Sequence, residues 1–165
     1  MNMRTARLEI RRVSESDRSR FTDLFSDSSF MVFSASGALG EDAANLRFDR
    51  MLALSADIPF CKQAIIETVT GMAIGYAGVD YFEFRGEQRL EFGYRLIAES
   101  RRQGFATDAA LAILELARET WHGQLLAFID PQNHASRNVL SKLGFELVEH
   151  TRIKGHDVEL YDLTI

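Results

Sequence analysis

The residues of this sequence best suited to chemistry lie together at Arg101-Arg102-Gln103-Gly104-Phe105-Ala106-Thr107, just ahead of a helical pattern. A helix N-terminus presents unpaired N–H groups and the positive end of its macrodipole. Gly104 and Ala106 let that backbone close on a phosphate without side-chain obstruction. The dipole contributes only about 0.3–1 kcal/mol per charge near a surface, so backbone hydrogen bonds and the charges of Arg101 and Arg102 must carry most of the binding expected of such an anion cradle. On spacing alone, the same residues equally suit a glycine easing an ordinary strand-to-helix turn. Neither Gly-Lys-Ser/Thr nor Gly-x-Gly-x-x-Gly occurs. ATP hydrolysis and nicotinamide chemistry therefore lack their usual signatures, and another phosphate-bearing ligand is expected. His122, His134, His150 and His156 show neither triad nor metal-ligand spacing and read as surface residues, and Cys61 is the sole cysteine. No metal is expected.

The loop needs a strand before it and a helix after it, and the flanking patterns supply both. Arg89 to Leu96 alternates apolar and polar residues; Phe105, Ala109, Ala112, Ile113 and Leu116 fall at helical spacings. Upstream, Leu8 to Val13 alternates as a half-buried strand, and Ser14 with Asp17 resembles a capping box opening a helix through Leu24-Phe25. Glu41 to Leu54, acidic at its front, predicts a second helix. Ala64 to Ile66 and Met72 to Val79 predict strands joined at Thr70-Gly71, and Phe84 to Glu87 a turn, so three strands should form an antiparallel meander. Downstream, Leu125 to Ile129 predicts a buried strand and Ala135 to Leu143 a helix stopped by Gly144. Residues 145–153 and 158–165 then form a hairpin, completing a mixed α/β (α+β) domain.

Composition sets the outer bounds. At 165 residues with 46% apolar and 26% charged, the chain reads as one soluble globular domain spanning 1–165. Twelve Phe and four Tyr supply a core that needs neither disulfide nor metal staples. The lone cysteine fits a reducing cytosol, and the short polar start resembles no signal peptide. No window reaches the roughly 18 apolar residues of a membrane span, so a cytoplasmic protein without membrane partners is expected. A net charge of -5 argues against nucleic-acid binding.

Four ordered motifs extend the reading. Arg101-x-x-Gly104-x-Ala106 resembles the Q/R-x-x-G-x-G/A loop with which the GCN5-related N-acetyltransferase (GNAT) family holds the pyrophosphate of coenzyme A. Thr5-x-Arg7-Leu8-x-Ile10-Arg11, Glu91-Phe92-Gly93-Tyr94, Gly104 to Ala109, and Asn133-x-x-Ser136-x-x-x-Leu140-x-Lys142-Leu143-Gly144-Phe145 resemble the branch of ribosomal-protein N-terminal acetyltransferases. The chain departs from that branch in two places: Ala98 stands where a proline is usual before the loop, and Arg102 where its R-G-x-G version has a glycine. Many relatives outside the branch carry a tyrosine proton donor five residues before the final phenylalanine, and here that position is Leu140.

The resemblance implies a GNAT fold with a mixed sheet of about seven strands, flanked by about four helices, whose fourth and fifth strands splay apart. It implies acetyl-CoA as cosubstrate, with its pantetheine arm paired to the splay near Phe92, Gly93 and Tyr94 and its phosphates on Arg101, Arg102, Gln103, Gly104, Phe105, Ala106 and Thr107. Asn133 and Ser136 complete the implied cofactor contacts, Asn133 bonding the arm, capping its helix, or both. Glu91 is the implied general base, acting through water on the substrate amine, with Asp80 the alternative; a solvated strand face is its structural role otherwise. Ser136 is the implied proton donor to the departing thiolate, or else a first-turn helix residue bonding backbone. Arg137 and Lys142 either reach the nucleotide phosphate or lie on solvated surface.

An amine must be neutral to attack a thioester. A lysine with pKa about 10.4 costs about 4.6 kcal/mol to deprotonate at pH 7, against about 1.4 for an α-amine near 8. The expected activity is therefore acetyl transfer to a primary amine in a ternary complex, a protein or peptide N-terminus being favoured over a polyamine, amino-sugar or amino acid. A noncatalytic acyl-CoA-binding module is the alternative, and monomer and homodimer are both open. The resemblance places specificity in the first helices and in the loops near Phe30 to Leu39 and Phe84 to Gln88.

Overall fold

The alternating segments form one sheet in the computed structural model, which describes residues 2–165; Met1, the head of the short polar start, lies outside the described residues. The strands are β1 (Met3–Arg4), β2 (Leu8–Arg11), β3 (Gln63–Glu67), β4 (Ala73–Phe84), β5 (Glu87–Leu96), β6 (Gln124–Ile129), β7 (Glu146–Ile153) and β8 (His156–Thr164). Their order is β1-β2-β3-β4-β5-β6-β8-β7, and every neighbouring pair is antiparallel except β5–β6. The helices are α1 (Arg18–Phe25), α2 (Glu41–Asp57), α3 (Phe105–Thr120) and α4 (His134–Lys142). The mixed α/β fold, the meander and the four helices agree with expectation. The strand count does not: eight stand where about seven were expected. The additional pair of residues, Met3–Arg4, is too short to show a period and is held by its partners Ile10 and Glu9. β4 also runs past Val79 to Phe84, because Asp80 and Phe82 continue one face while Tyr81 and Glu83 turn to solvent.

Ser14 opens the first helical segment as its motif requires: the Asp17 carboxylate accepts the Ser14 N–H at 2.8 Å and an Arg11 fork at 2.8 Å. Side chains of both sheet faces are buried. Phe105, Ala109, Ile113 and Leu114 of α3 and Leu140 of α4 cover one face with Ala77, Val79, Phe92 and Leu96. On the other face, α1 and α2 bury Phe21, Phe25, Phe48 and Met51 against Ala64, Ile66 and Tyr76. Aromatic centroids there stand 5.9–6.4 Å apart, in tilted and edge contacts that suit ring quadrupoles. Burying each such side chain contributes about 1.5–3 kcal/mol.

Arg137 departs from both of its sequence readings. Its Nε donates to Glu159 Oε2 at 2.9 Å and its Nη2 to the Pro131 carbonyl at 2.9 Å, so although its side chain is partly exposed it is committed to a structural ion pair. Glu159 is 2% exposed and also accepts the Tyr161 hydroxyl. Burial pushes the Glu159 carboxyl up, but Arg137 and Tyr161 more than reverse this and hold it below the usual carboxylate range. A depressed carboxylate stabilises the fold above its unfolded pKa, and that contribution is lost as pH falls through the lowered folded value. Arg137→Ala strands the charge, so thermal unfolding at pH 7 should occur about 5–10 °C lower. The gap between mutant and wild type should narrow toward pH 4, where the stranded carboxyl takes up a proton.

Candidate active site

The loop between β5 and α3 is shaped as an anion cradle. Gly104 caps α3 at φ +82°, and Arg102 also lies in the left-handed region at φ +60°. Among the described residues, no acceptor receives the N–H groups of residues 102–107, so the fit to a pyrophosphate rests on several backbone donors converging beside a residue with no side chain. Arg7 holds this loop from β2's leading edge. Its Nη1 donates to the Gln103 carbonyl at 2.6 Å, its Nη2 to Asp108 at 2.6 Å, and its guanidinium stacks 4.5 Å from the Phe105 centroid. The N-terminal motif is thus part of the cradle's support.

Two expected contributions change. Arg101 turns inward, donating to the carbonyls of Leu96 at 3.1 Å and Ser29 at 2.8 Å, so it braces the loop and leaves Arg102 as its exposed charge. Phe105 and Phe92 are core rings, Phe92 stacking on Phe145 at 5.5 Å, and each offers a ligand only backbone. Gln103 ties its own side chain to the Glu99 carbonyl at 2.7 Å, and Ala106 and Thr107 are half-buried in the first turn of α3.

Ahead of this loop the sheet itself opens. β5 and β6 pair only at Leu90↔Leu125 and Glu91↔Leu126, whereas β6 stays paired with β8 from Gln124 to Ile129. Beyond Glu91 the facing edges diverge, leaving the β5 backbone from Gly93 to Leu96 open to an extended, amide-bearing ligand. Because the expected fourth and fifth strands are β5 and β6 here, the implied splay is present at the expected residues.

Alternation sends the site's side chains to opposite faces of this opening. On the α3–α4 face, the Tyr94 hydroxyl lies 2.9 Å from Ser136 Oγ, and Ser136 is buried. Burial raises the Tyr94 pKa, with the Ser136 bond working the other way. Asn133 is the α4 N-cap, its Oδ1 accepting the Ser136 N–H at 3.2 Å, so of its two readings the structure shows the cap. Lys142 is exposed, as are all four histidines.

On the α1–α2 face stand Glu91 and, opposite it in register, Asp80. Lys62 Nζ lies 3.4 Å from Glu91 and 4.0 Å from Asp80, and Arg50 Nη2 donates to Asp80 at 2.9 Å. Burial pulls Lys62 down, but Glu91, Tyr76 and Asp80 outweigh it, so the ammonium is held above its ordinary value. Gly78 permits this arrangement: at φ +141°, a Cβ there would sit 2.1 Å from the Cys61 carbonyl oxygen, and the close approach seats Lys62 across β4. Tyr76 and Arg95 form the next pair on this face, with Arg47 reaching in from α2. Burial raises the Tyr76 phenol, but Arg95, Lys62 and Arg47 together leave it below its ordinary value.

These residues enclose a cleft of about 390 Å³, walled at one end by Val32 to Ala35. Of the two segments expected to set specificity, 30–39 reaches the cleft, whereas the 84–88 turn does not line it and pairs through Arg85 with Glu149 on β7. Lys62, Arg47, Arg95 and the Tyr94 hydroxyl were missed by motif reading. A signal exists for two of them: Arg47 interrupts the apolar stripe Ala44, Phe48, Met51, and Arg95 continues the unusually polar face Glu91-x-Gly93 of a central strand.

A family model described as an acetyltransferase (GNAT) domain matches residues 7–146. The chain is 27% identical over 145 residues to the uncharacterized N-acetyltransferase YnaD of Bacillus subtilis (strain 168), covering 87% of this chain and 82% of the relative. Among solved structures, an acetyltransferase from Agrobacterium tumefaciens str. C58 superposes with TM-score 0.83 at 24% identity, over 99% of this chain and 94% of that one. The Salmonella typhimurium protein yncA, solved with its cofactor acetyl-CoA, superposes with TM-score 0.71 at 17% identity, over 95% and 93%.

Proposed function

The chain belongs to the GNAT acetyltransferase family, and on that premise we propose that it moves an acetyl group from acetyl-CoA to a primary α-amine while both substrates are bound. The observation that carries the reading is the opening between β5 and β6, with Glu91 on one face and the Tyr94–Ser136 pair on the other. Acetyl-CoA, when bound, supplies the acetyl group as a reactive thioester.

The N–H groups of residues 102–107 hold its pyrophosphate, and the open edge of β5 from Gly93 to Leu96 pairs with its amide-bearing arm. Glu91, oriented by Lys62, takes the amine proton directly or through one water. Asp80 is the weaker candidate base, because Arg50 and Lys62 both bind it. Ser136 donates a proton to the leaving sulfur and is resupplied through the Tyr94 hydroxyl. With Leu140 at the position where other relatives carry a tyrosine, this pair takes over the acid's task from β5. The resemblance to the ribosomal-protein branch, together with the lower deprotonation cost, favours an α-amine over a lysine side chain.

A panel of amines, amino acids and N-terminal peptides, incubated with acetyl-CoA and followed by thiol detection, tests the proposal. Acceptor-dependent thiol release is expected at rates of about 1 s⁻¹ or faster with a good acceptor. Tight acetyl-CoA binding without release by any member would instead favour a noncatalytic acyl-CoA-binding module.

A further inference from the structure

Two arginines on the Glu91 face have no charged partner among the described residues. Arg47 is half-buried and makes no hydrogen bond or ion pair among the described residues; its only specific contact is stacking at 5.0 Å over Phe25. Arg95, also half-buried, donates only to the Met31 sulfur at 3.3 Å. The two carboxylates of this face are already engaged, Asp80 by Arg50 and Lys62, and Glu91 by Lys62. Four cations thus face two anions. Asp80 and Arg50 stand behind the cleft lining, whose other charged residues are Asp130 just after β6, Lys154 in the β7–β8 turn and Asp157 on β8, where it pairs with Arg152. Withdrawing a guanidinium from water without a counter-charge is unfavourable, and such a group is pre-shaped for a carboxylate fork.

We infer that the acceptor carries a carboxylate beside its amine, bound by Arg47 and Arg95 while the amine lies against Glu91. This rests on the acetyl-transfer reading of the same cleft and narrows its substrate class to amino-acid-like amines. The three groups line one cleft: Glu91 and Arg95 stand four positions apart on the same face of β5, Tyr76 is opposed in register to Arg95, and Arg47 enters beside them from α2. The lowered Tyr76 phenol registers the same excess of positive charge. That charge disfavours an ammonium and so assists loss of the amine proton, whereas a polyamine would add repulsion with nothing to offset it. The carboxylate has two sources, the α-carboxylate of a free amino acid or the side chain of an acidic N-terminal residue.

The experiment compares the L-amino acids with their carboxamides, and tripeptide amides beginning with Glu or Asp with those beginning with Gln or Asn, each with acetyl-CoA. The acid is expected to exceed its amide at least tenfold in kcat/KM in one of the two series, and that series identifies the source. Arg47→Gln and Arg95→Gln should each raise the acceptor KM about tenfold, keep the KM for acetyl-CoA within twofold, and reduce the preference for acid over amide. Amides or alkyl diamines turning over as well as acids would overturn the inference while leaving acetyl transfer intact. If no acceptor releases thiol, acetyl transfer fails, and calorimetric titration of the panel acids into the acetyl-CoA-bound protein decides the carboxylate site separately. Binding of an acid that is lost in Arg47→Gln keeps the site; no binding removes it. Unfolding curves of both variants, and Arg47→Lys as a charge-conserving control expected to recover part of the acceptor affinity, separate loss of the site from loss of the fold.

Discussion

Gly104→Glu should lower acetyl-CoA affinity at least about 10²-fold in a protein that still folds. Gly104 stands at φ +82°, where an L side chain is strained, and a Cβ there meets Arg7 Nη2 at 3.0 Å. That neighbour is the far end of a flexible side chain and can shift. The buried stripe of α3, Ala109, Ile113 and Leu114, lies beyond the first turn and keeps its packing. What does not survive is the cradle, because a carboxylate now sits where backbone donors would meet a pyrophosphate, and like charges repel in the space meant to attract them. Gly104→Ala isolates backbone strain from charge and should cost less affinity. Calorimetric titration with acetyl-CoA reads both, and wild-type affinity in a folded Gly104→Glu protein would show that phosphate binds elsewhere.

The second large effect separates rate from affinity. Glu91→Gln keeps size and much of the hydrogen bonding but removes the base, so kcat should fall about 10²-fold while acetyl-CoA binds nearly normally. The loss should shrink as pH rises, because more amine is then neutral without help. Ser136→Ala removes the proton supply to sulfur. Its deficit should also diminish above the thiol pKa of about 8.5, where the sulfur leaves as a stable anion. The two defects lie on opposite faces of the sheet, so they should respond differently to the acceptor: a less basic amine rescues Glu91→Gln and leaves Ser136→Ala unchanged. A pH-rate profile of Glu91→Gln matching wild type would transfer the base role to water or Asp80, and a normal rate for Ser136→Ala would leave that residue structural.

Local patterns made most of the elements legible. The alternation of Arg89 to Leu96, the helical stripe from Phe105 to Leu116 and the Ser14–Asp17 capping pair each encode their structure within a few residues, and each is present in the fold. The strand-loop-helix context of residues 101–107 was legible for the same reason, being one continuous segment. The bracing bonds of Arg101 were not legible because its acceptors, the carbonyls of Leu96 and Ser29, depend on how the 26–39 segment returns to β5. Lys62 reaches Glu91 only because Gly78 lets residues 60–62 close on β4, a contact between segments with no shared period. The Tyr94–Ser136 pair spans 42 positions and needs both the α3 crossover and the α4 cap to exist first. Residues that bond within a loop or a turn announce themselves; those that meet across the sheet do not.

The seam between β5 and β6 bears on motion as well as chemistry. Two residue pairs join the β1–β5 part of the sheet to the β6–β8 part, and past Glu91 the amides that point into the seam have no strand partner, while β5 stays paired with β4 and β6 with β8 on their far edges. Opening there breaks few hydrogen bonds, so among residues 93–96 and 127–129 the seam-facing amides should exchange faster than those bonded to β4 and β8. A ligand that lies along the seam supplies the missing rungs. It slows exchange on both sides together, and its binding free energy becomes cohesion between two halves that the backbone alone joins weakly.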